Sequence, residues 1–360
     1  MTPASALACD LHDFSCAAAA QGLRYVTDDK PGYTRKLHGK HFLFYDTKGK
    51  RITDAAEVMR IRKLAIPPAY REVWICPQAN GHLQATGIDA RGRKQYRYHA
   101  DWRAVRDASK FHHVLAFAEA LPTIRAVTAK HMAQHGLTRE KVLATVVMLL
   151  EKTMIRVGND EYARSNQSYG LTTLREEHVN VSGQTIRFRF KGKSGKEWNL
   201  KLSDRRIARV ISQCAEIEGQ ELFKYVGEDG AARDVTSGMV NQYLQEITGS
   251  DFTAKDFRTW AGTVLAAMAL QEYAQYDSAA QAKKNVVAAI EQVAKRLGNT
   301  PSVCRKCYIH PEVLDAYLDG SLARQISRDI DAALKQKYDA LNDEEILVLA
   351  FLRKRLKVAH

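Results

Sequence analysis

The stretch that decides the fold is LTREKVLATVVMLLEKTMIRVG, residues 137–158. Its apolar residues recur at the spacing of a helix, and they form a stripe wide enough for neighbouring elements to cover it on most sides. These positions are Val142, Leu143, Val146, Val147, Leu149, Leu150, Met154 and Ile155. Gly158 is a candidate C-cap, because helices often end on a glycine in the left-handed conformation. We therefore expect a deeply buried helix, ending near Gly158, inside a mainly helical domain.

The sequence that follows combines one strand-rich segment with several helices. Residues 179–202, VNVSGQTIRFRFKGKSGKEWNLKL, alternate apolar and polar residues and contain turn signals at SGQ and GKSGK. This pattern is typical of a β-hairpin or a small meander. Helical spacing returns at 203–217 and 277–298, where Gly298 is placed to end the second helix. Residues 312–360 are expected to form a C-terminal helical extension.

The N-terminal third is rich in strand signals. They lie at HFLFYD (41–46), REVWICP (71–77), HLQATGID (82–89) and QYRYH (95–99), around one short helix at 54–64. Residues 1–23 lack the positive start of a secretory signal, so we expect a loose tail there. The expected fold class is α+β. A small β-rich domain at 24–106 precedes a larger, mainly helical domain at 107–360, which contains the meander.

The balance of charge points to a polyanion as partner. The chain of 360 residues contains 54 Lys and Arg against 41 Asp and Glu, a net charge of +13, and its pI is near 9.4. The first 110 residues contain 19 Lys and Arg against 11 Asp and Glu, so most of the excess lies there. Such an excess is typical of proteins that bind nucleic acid. No apolar run reaches the roughly 18 residues of a membrane span, so we expect a cytoplasmic protein without a membrane partner.

The cysteines bear on the question of a metal site. Cys304 and Cys307 form a CxxC pair in VCRKCY. A structural zinc site needs about four ligands, usually two such pairs, and His310 alone does not complete the set. In a cytoplasmic chain these cysteines are expected to be reduced thiols. The sequence also has no P-loop and no dinucleotide fingerprint, so we expect no metal and no cofactor.

Three cations stand in unusual local surroundings. Arg156 follows the apolar helix, where a buried cation is costly, although one of the acidic residues at 160 and 161 could pair with it. Lys193 lies in the segment FKGK and could be an ordinary hairpin lysine. Arg258 lies between aromatic residues in KDFRTW and could stack on Trp260 as a structural cation–π pair. Taken singly, Lys193 and Arg258 favour a purely structural role, and Arg156 fits a structural role as well as a functional one.

Together with two later residues, these cations resemble the type IB DNA topoisomerases, in particular the compact poxvirus and bacterial branch. The matching positions, in order, are Arg156 (IRVGNDEY), Lys193 (FKGK), Arg258 (KDFRTW), Asn299 (GNTPS) and Tyr308 (RKCY). The run DARGRKQYRYH at 89–99 resembles the DNA-contacting segment of the same enzymes. The likeness covers residues 24–310. Each of these short motifs is common by chance, but the five motifs in this order, with their neighbouring residues, are specific to the family.

The resemblance implies a covalent mechanism centred on Tyr308. The tyrosine would attack a DNA phosphorus, form a 3′-phosphotyrosyl bond and release a 5′-hydroxyl strand, so that resealing needs no ATP. Arg156, Arg258 and Asn299 would stabilise the charge of the transition state, and Lys193 would act as general acid on the leaving oxygen. Because side chains supply the positive charge, no divalent metal is expected.

One position separates the two branches of the family. The viral members have His at the position of Asn299, whereas the bacterial members have Asn, so the chain is expected to be a bacterial enzyme. An amide does not titrate, and its role is therefore expected to be hydrogen bonding rather than proton donation.

The expected partner is duplex DNA. The resemblance implies a two-domain clamp around the duplex and a monomeric enzyme associated with the nucleoid. Gln95, Tyr96 and Tyr98 match positions that touch DNA in the family, and Tyr162 matches a phosphate contact. Packing within a strand is the alternative for Tyr96 and Tyr98.

Two other functions stay open at this stage. A tyrosine recombinase uses the same nucleophile and similar cations, but its second arginine usually lies in an HxxR motif, whereas this chain has Lys255 three residues before Arg258. A non-catalytic DNA-binding architectural protein would bind DNA without nicking it.

Overall fold

The computed structural model describes residues 18–19, 21–39, 41–90, 92–273, 275–326, 335–336 and 338–356, and for residues 103–112 it describes the backbone alone. It divides the chain into two units, Met1–His112 and His113–His360. Most of the expected N-terminal tail at 1–23 lies outside the described residues, as does part of the C-terminal extension. Both units contain helix and strand, so the fold is mixed α and β, with small sheets.

The first unit contains two small antiparallel sheets and a short helix. Four of the strands and the helix lie where the sequence predicts them, and the strand at 34–38 was not predicted. A hairpin is formed by β1 (Thr34–His38) and β2 (His41–Tyr45). A three-stranded sheet is formed by β3 (Arg71–Ile75), β4 (Leu83–Ile88) and β5 (Lys94–Tyr98), in that order. Asp54 caps helix α1 (Ala55–Lys63) by accepting a hydrogen bond from the Glu57 N–H. The core of this unit consists of Phe44, Ile61, Val73, Ile75 and Ala85.

A long helix, α2 (Ala100–Met132), follows, and the division between the two units falls within it. Pro122 lies inside this helix. A proline there removes one backbone hydrogen bond, which normally bends or breaks a helix. Neighbouring side chains, such as Leu121 and Ile124, are buried in the second unit, and their burial compensates for the lost bond.

The helix expected from the apolar stripe is α3 (Arg139–Thr153). Thr138 caps its N-terminus by accepting a hydrogen bond from the Lys141 N–H. Every side chain from Val142 to Leu150 is buried. The helix is therefore covered on all sides along its middle turns, as the width of the apolar stripe predicts.

The expected end of this helix at Gly158 is wrong. The helix ends at Thr153, and Met154 is its C-cap in the left-handed conformation, with φ 57°. The Met154 carbonyl accepts a hydrogen bond from the Arg258 guanidinium, so a tertiary contact takes the place of the next helical turn. Arg156 consequently lies in the irregular segment between this helix and the next and not at the end of the helix.

The strand-rich segment is a three-stranded antiparallel meander of β6 (Val179–Ser182), β7 (Thr185–Lys191) and β8 (Glu197–Ser203). Ile186, Phe188 and Phe190 on β7 face the core, while the residues between them are exposed. The turn between β7 and β8 contains Lys193, as the GKSGK signal predicts.

Helices make up most of the remaining described residues. Asp204 caps α5 (Arg205–Ala215), which follows the short helix α4 (Asp160–Asn166) and the meander. A small hairpin of β9 (Lys224–Val226) and β10 (Ala232–Asp234) comes next. The later helices are α6 (Ser237–Thr248), α7 (Ala254–Glu272), α8 (Ala279–Leu297), α9 (Pro301–Cys307), α10 (Pro311–Leu318), α11 (Leu322–Gln325) and α12 (Asp343–Arg355). Gly298 caps α8 in the left-handed conformation, as predicted.

Helices α7, α8 and α9 form the part of the second unit that positions the predicted site. Helix α8 packs against α7 and α9, and α7 also packs against α3 and α12. Among the residues whose placement is described, no helix is both long enough and apolar enough to cross a membrane.

Candidate active site

Four of the five predicted catalytic residues line one pocket of the second unit. Arg156, Lys193, Arg258 and Tyr308 surround a space of about 260 Å³ together with Tyr162, the predicted phosphate contact. These residues are far apart in the sequence and come from four different segments of the chain. The fifth, Asn299, contacts the pocket through Arg156.

Arg156 is held by the segment that follows helix α8. Its guanidinium donates a hydrogen bond to the Asn299 side-chain carbonyl and a longer one, 3.4 Å, to the Gly298 carbonyl. Neither acidic residue at 160 or 161 pairs with it; both are exposed. Burial lowers the pKa of Arg156, and the neighbouring Arg258 cation lowers it further.

Arg258 lies in the second turn of α7 and is only 3% exposed. It donates to the Met154 carbonyl and, at 2.6 Å, to the Leu297 carbonyl, so it joins the ends of α3 and α8. Its Nε is buried and has no acceptor among the described residues. Burial lowers the pKa of Arg258. The ring that its guanidinium contacts is that of Tyr308, 5.1 Å from the ring centre, whereas the Trp260 indole donates to Glu345.

Tyr308 is the C-cap residue of α9, and its N–H donates to the Cys304 carbonyl at 2.9 Å. The Arg258 guanidinium carbon lies 5.1 Å from the centre of its ring, and Arg156 lines the same pocket. The nearby phenol partly offsets the lowering by burial of the pKa of both arginines. The candidate nucleophile therefore faces two cations. The hydrogen-bond acceptors that the structure describes for the two guanidinium groups are carbonyl oxygens, with no carboxylate among them.

Asn299 follows the C-cap of α8, and its N–H donates to the Ala294 carbonyl at 3.0 Å. Its side-chain Nδ2 is buried and, like the Nε of Arg258, has no acceptor among the residues described. Buried donors without acceptors are rare in folded proteins. The Arg258 guanidinium lies against the Tyr308 ring, and the Asn299 amide lies against the Cys304 thiol, whose pKa it lowers against the larger effect of burial. Both groups are donors of the kind that an anionic oxygen accepts from.

Lys193 differs from the arginines in that its side chain is exposed. It lies in the tight turn between β7 and β8, closed by a hydrogen bond of 2.7 Å from the Gly192 N–H to the Lys196 carbonyl. Its Nζ lies 5.4 Å from the centre of the Tyr162 ring, a cation–π contact. Tyr162 itself is in α4, where Asn159 serves as N-cap.

Three predicted DNA-contacting residues lie in the first unit, on β5. Tyr96 is 49% exposed and stacks on Tyr98, with ring centres 6.1 Å apart. Gln95 donates a hydrogen bond to Asp89 at 3.1 Å. Tyr98 packs against the buried side chains of Leu23 and Trp102, as the alternative of structural packing predicts, whereas the ring of Tyr96 remains half exposed.

Glycines that sequence reasoning did not single out bring the backbones of the site together. A Cβ on Gly262 of α7 would lie 2.4 Å from the Tyr308 carbonyl oxygen, so only glycine lets α7 approach the tyrosine this closely. A Cβ on Gly170 would lie 2.6 Å from the Arg156 carbonyl oxygen. Sequence reasoning could have found Gly262, because a glycine inside an apolar helix lowers the stability of the helix and suggests a close backbone contact.

The CxxC pair lies on α9 directly before Tyr308. Cys304 is fully buried, and burial raises the pKa of its thiol. Among the residues whose placement is described, no group of three or more His, Cys, Asp or Glu side chains is arranged to hold a metal ion. The chemistry that the site offers is thus that of a phenol beside cations and amide donors.

Two family models match the chain. The model described as eukaryotic DNA topoisomerase I, catalytic core, matches residues 99–336, and the model described as bacterial DNA topoisomerase IB, N-terminal domain, matches residues 41–89. The first match spans more than half of the chain and contains all five predicted catalytic positions.

Curated relatives agree with the family models. DNA topoisomerase 1B of Acanthamoeba polyphaga mimivirus is 31% identical over 293 residues, which cover 79% of this chain and 87% of the viral protein. DNA topoisomerase 1B of vaccinia virus (strain Copenhagen) is 22% identical over 310 residues, which cover 85% and 88%. With these matches over most of both lengths, the chain belongs to the type IB DNA topoisomerase family, in its bacterial and viral branch.

Proposed function

We propose that Tyr308 is the nucleophile with which this type IB topoisomerase relaxes supercoiled duplex DNA. The observation that carries the proposal is the position of the tyrosine against Arg156 and Arg258, two desolvated cations without a carboxylate partner among the described residues. A buried cation without a counterion is costly unless a ligand supplies the negative charge. The DNA phosphate is that ligand.

In the reaction the Tyr308 hydroxyl gives up its proton to water and its oxygen forms a bond to phosphorus, while the bond from phosphorus to the 5′-oxygen of the next nucleotide breaks. The product is a 3′-phosphotyrosyl linkage, which keeps the energy of the phosphodiester for resealing, so no ATP is needed. Negative charge gathers on the two non-bridging oxygens in the transition state. Arg156, Arg258 and the Asn299 amide stabilise this charge in the proposal, which the buried Nε of Arg258 supports.

Lys193 is the general acid of the proposal. The departing 5′-oxygen takes a proton as the bond to phosphorus breaks, and the Lys193 ammonium on the pocket wall supplies it. On religation the same residue takes the proton back. Neither step requires a metal ion or a cofactor, because the side chains supply the charge and the proton.

Duplex DNA binds across both units in this proposal, as a clamp formed by one copy of the chain. Tyr96 and Tyr98, exposed or half-buried on β5, and Gln95 beside them contact the duplex from the first unit. Tyr162 contacts the phosphate from the second unit. The net charge of +13 supports strong, salt-dependent binding. The place of action is the nucleoid of the cytoplasm.

The proposal is tested with supercoiled plasmid in a buffer with EDTA and without ATP. The wild-type chain is expected to relax the plasmid, and Tyr308→Phe, which keeps the ring against Arg258, is expected to leave it supercoiled. Relaxation by the phenylalanine variant would reject Tyr308 as the nucleophile. Strand exchange between duplexes without relaxation would favour a recombinase, and binding without nicking would favour an architectural protein.

A further inference from the structure

The backbone of the turn that contains Lys193 is held on its β7 side. Before the turn, the Lys191 carbonyl accepts a hydrogen bond of 2.8 Å from the Tyr169 N–H, in the loop that lies beside Arg156. Within the turn, Ser194 is in the left-handed conformation, with φ 65°. These features fix the backbone of the turn but not the direction of the Lys193 side chain. The residues that pack beneath the turn therefore matter for the position of the ammonium group.

Beneath the turn lies Trp198, the second residue of β8. Its indole contacts two glycines that belong to different parts of the site. A Cβ on Gly192, next to Lys193, would lie 2.7 Å from the indole Nε1, and a Cβ on Gly298 would lie 2.9 Å from Cζ2. Each glycine is thus a place where the indole lies directly on backbone. Trp198 fills the space between the lysine turn and the C-cap of α8.

The C-cap of α8 is also the support of the phosphate-binding groups. The Gly298 carbonyl accepts a hydrogen bond from Arg156, and Asn299 follows directly in the chain. The indole therefore touches the backbone on both sides of the reaction that we propose. One side carries the group that protonates the leaving oxygen, and the other carries groups that hold the phosphate.

We infer that Trp198 is a positioning residue that sets the place of Lys193 relative to the bound phosphate; the inference rests on the proposed role of Lys193 as general acid. The distance between an acid and the atom it protonates governs its effect, and a misplacement of about 1 Å is enough to reduce the rate strongly. Phe190, stacked on Trp198 with ring centres 6.0 Å apart, holds the indole from the side of the core.

A role in the core alone does not explain this tryptophan. Phe190 is buried and covers the inner face of the meander, whereas Trp198 is only partly buried. A core residue at the end of a strand does not need two glycines to make room for it. The pair of close approaches places the indole as a spacer between turn and cap.

The experiment measures single-turnover cleavage of a duplex oligonucleotide that contains a cleavage site mapped for this chain. Two forms of the duplex are compared, one with the ordinary 5′-oxygen at the site and one with sulfur in its place. A thiolate leaves without being protonated, so the sulfur substrate no longer needs the general acid. A variant that harms only the acid recovers its rate on the sulfur substrate, whereas a variant that harms phosphate binding does not.

Trp198→Ala is expected to cleave the oxygen substrate about 10- to 100-fold more slowly than the wild type and the sulfur substrate within about threefold of it. Gly192→Ala, which drives a methyl group into the indole while keeping the tryptophan, is expected to show the same pattern more weakly. Leu200→Ala, two residues farther along the same face of β8, is the matched control and is expected to change both rates equally and little.

Two reference variants separate the inference from the proposal on which it rests. Lys193→Ala is expected to recover on the sulfur substrate, and Arg258→Ala is expected to fail on both. If Lys193→Ala recovers but Trp198→Ala fails equally on both substrates, or keeps its full rate on the oxygen substrate, the inference is overturned alone. If Lys193→Ala also fails equally on both, the general acid is misassigned and the inference falls with it. Trp198→Phe answers the same question where the alanine variant does not fold.

Discussion

The two arginines of the site and its lysine are held in different ways. Arg258 is 3% exposed and donates to carbonyls at the ends of two helices, α3 and α8. Arg156 is fixed by Asn299 and Gly298. Lys193, in contrast, is exposed on a turn, and the contact described for its ammonium is the ring of Tyr162.

The difference follows from what each group does in the proposed reaction. A group that stabilises charge in the transition state is most effective when it is already in place and desolvated, so that nothing needs to reorganise. A group that transfers a proton must reach the leaving atom and then receive the proton back. We therefore expect the arginine site to respond strongly to changes in its buried supports and the lysine turn to respond to a few local contacts.

The largest expected effect is that of Arg258→Ala. The loss of two anchored donors and one free donor beside the phosphate is expected to slow cleavage by about 1,000-fold. Arg258→Lys keeps the charge but not the planar set of donors, and it is expected to recover only part of the rate. Single-turnover cleavage at saturating enzyme measures both. The control is Arg209→Ala, an exposed arginine on α5, expected to stay within about twofold. An equal loss in the control would mean that charge alone matters.

The second effect concerns the buried support behind Arg258. Glu345 of α12 accepts a hydrogen bond of 3.3 Å from the Trp260 indole, on the helix that contains Arg258, and forms an ion pair with Arg125 at 2.9 Å. Removing Glu345 leaves the Trp260 indole N–H without this acceptor, while Arg125 keeps its second carboxylate partner, Glu151, at 2.6 Å. Glu345→Ala is therefore expected to lower the free energy of unfolding by about 1–2 kcal/mol in urea titrations.

The matched control for this prediction is Glu344→Ala. Glu344 is the neighbouring residue on the same helix, but it is exposed, so a change below about 0.5 kcal/mol is expected. If the two variants are equally stable, α12 does not support the arginine site through Glu345.

A smaller effect is expected at the lysine turn from its contact with Tyr162. Tyr162→Phe keeps the ring under the ammonium, whereas Tyr162→Leu removes it. The difference between the two variants isolates the cation–π contact, and we expect two- to fivefold slower cleavage for leucine, which corresponds to about 0.5–1 kcal/mol. Equal rates for the two variants would show that the ring does not hold Lys193.

The smallest effect is a dependence on pH at the start of α7. A hydrogen bond to Asp256 raises the pKa of His113 above its ordinary value. The contact stabilises the fold fully at pH values below the unfolded pKa of about 6.5, and this stability is lost as the pH rises through the raised pKa. His113→Gln is expected to cost up to about 1 kcal/mol at pH 5.5 and less at pH 8.5 in urea titrations. A cost that grows with pH would contradict this.

The elements of the fold were largely predictable because their signals are local. The apolar stripe of α3, the turn signals around Lys193 and the C-cap at Gly298 each lie within one segment of sequence. The order of the five positions proposed to be catalytic was equally visible, through resemblance to the family. Local signals were sufficient wherever the backbone follows its own propensities.

What the sequence did not reveal depends on pairs of distant residues. Helix α3 ends at Thr153 because Arg258, about a hundred residues later, binds the carbonyl of Met154. The approach of Gly262 to Tyr308 and the contact of Trp198 with Gly298 are of the same kind. A pattern within one segment cannot show which distant residue will form hydrogen bonds with that segment or fill the space beside it. Such long-range contacts shape the site.

The most direct test of the central claim is the identity of the covalent bond. A duplex labelled at the 5′ end of the cleaved strand is incubated with the chain, stopped with denaturant and digested, and the labelled peptide is sequenced by mass spectrometry. We expect the label on Tyr308, with a free 5′-hydroxyl on the released strand. A label on another residue, or a protein bound to the 5′ side of the break, would contradict the account.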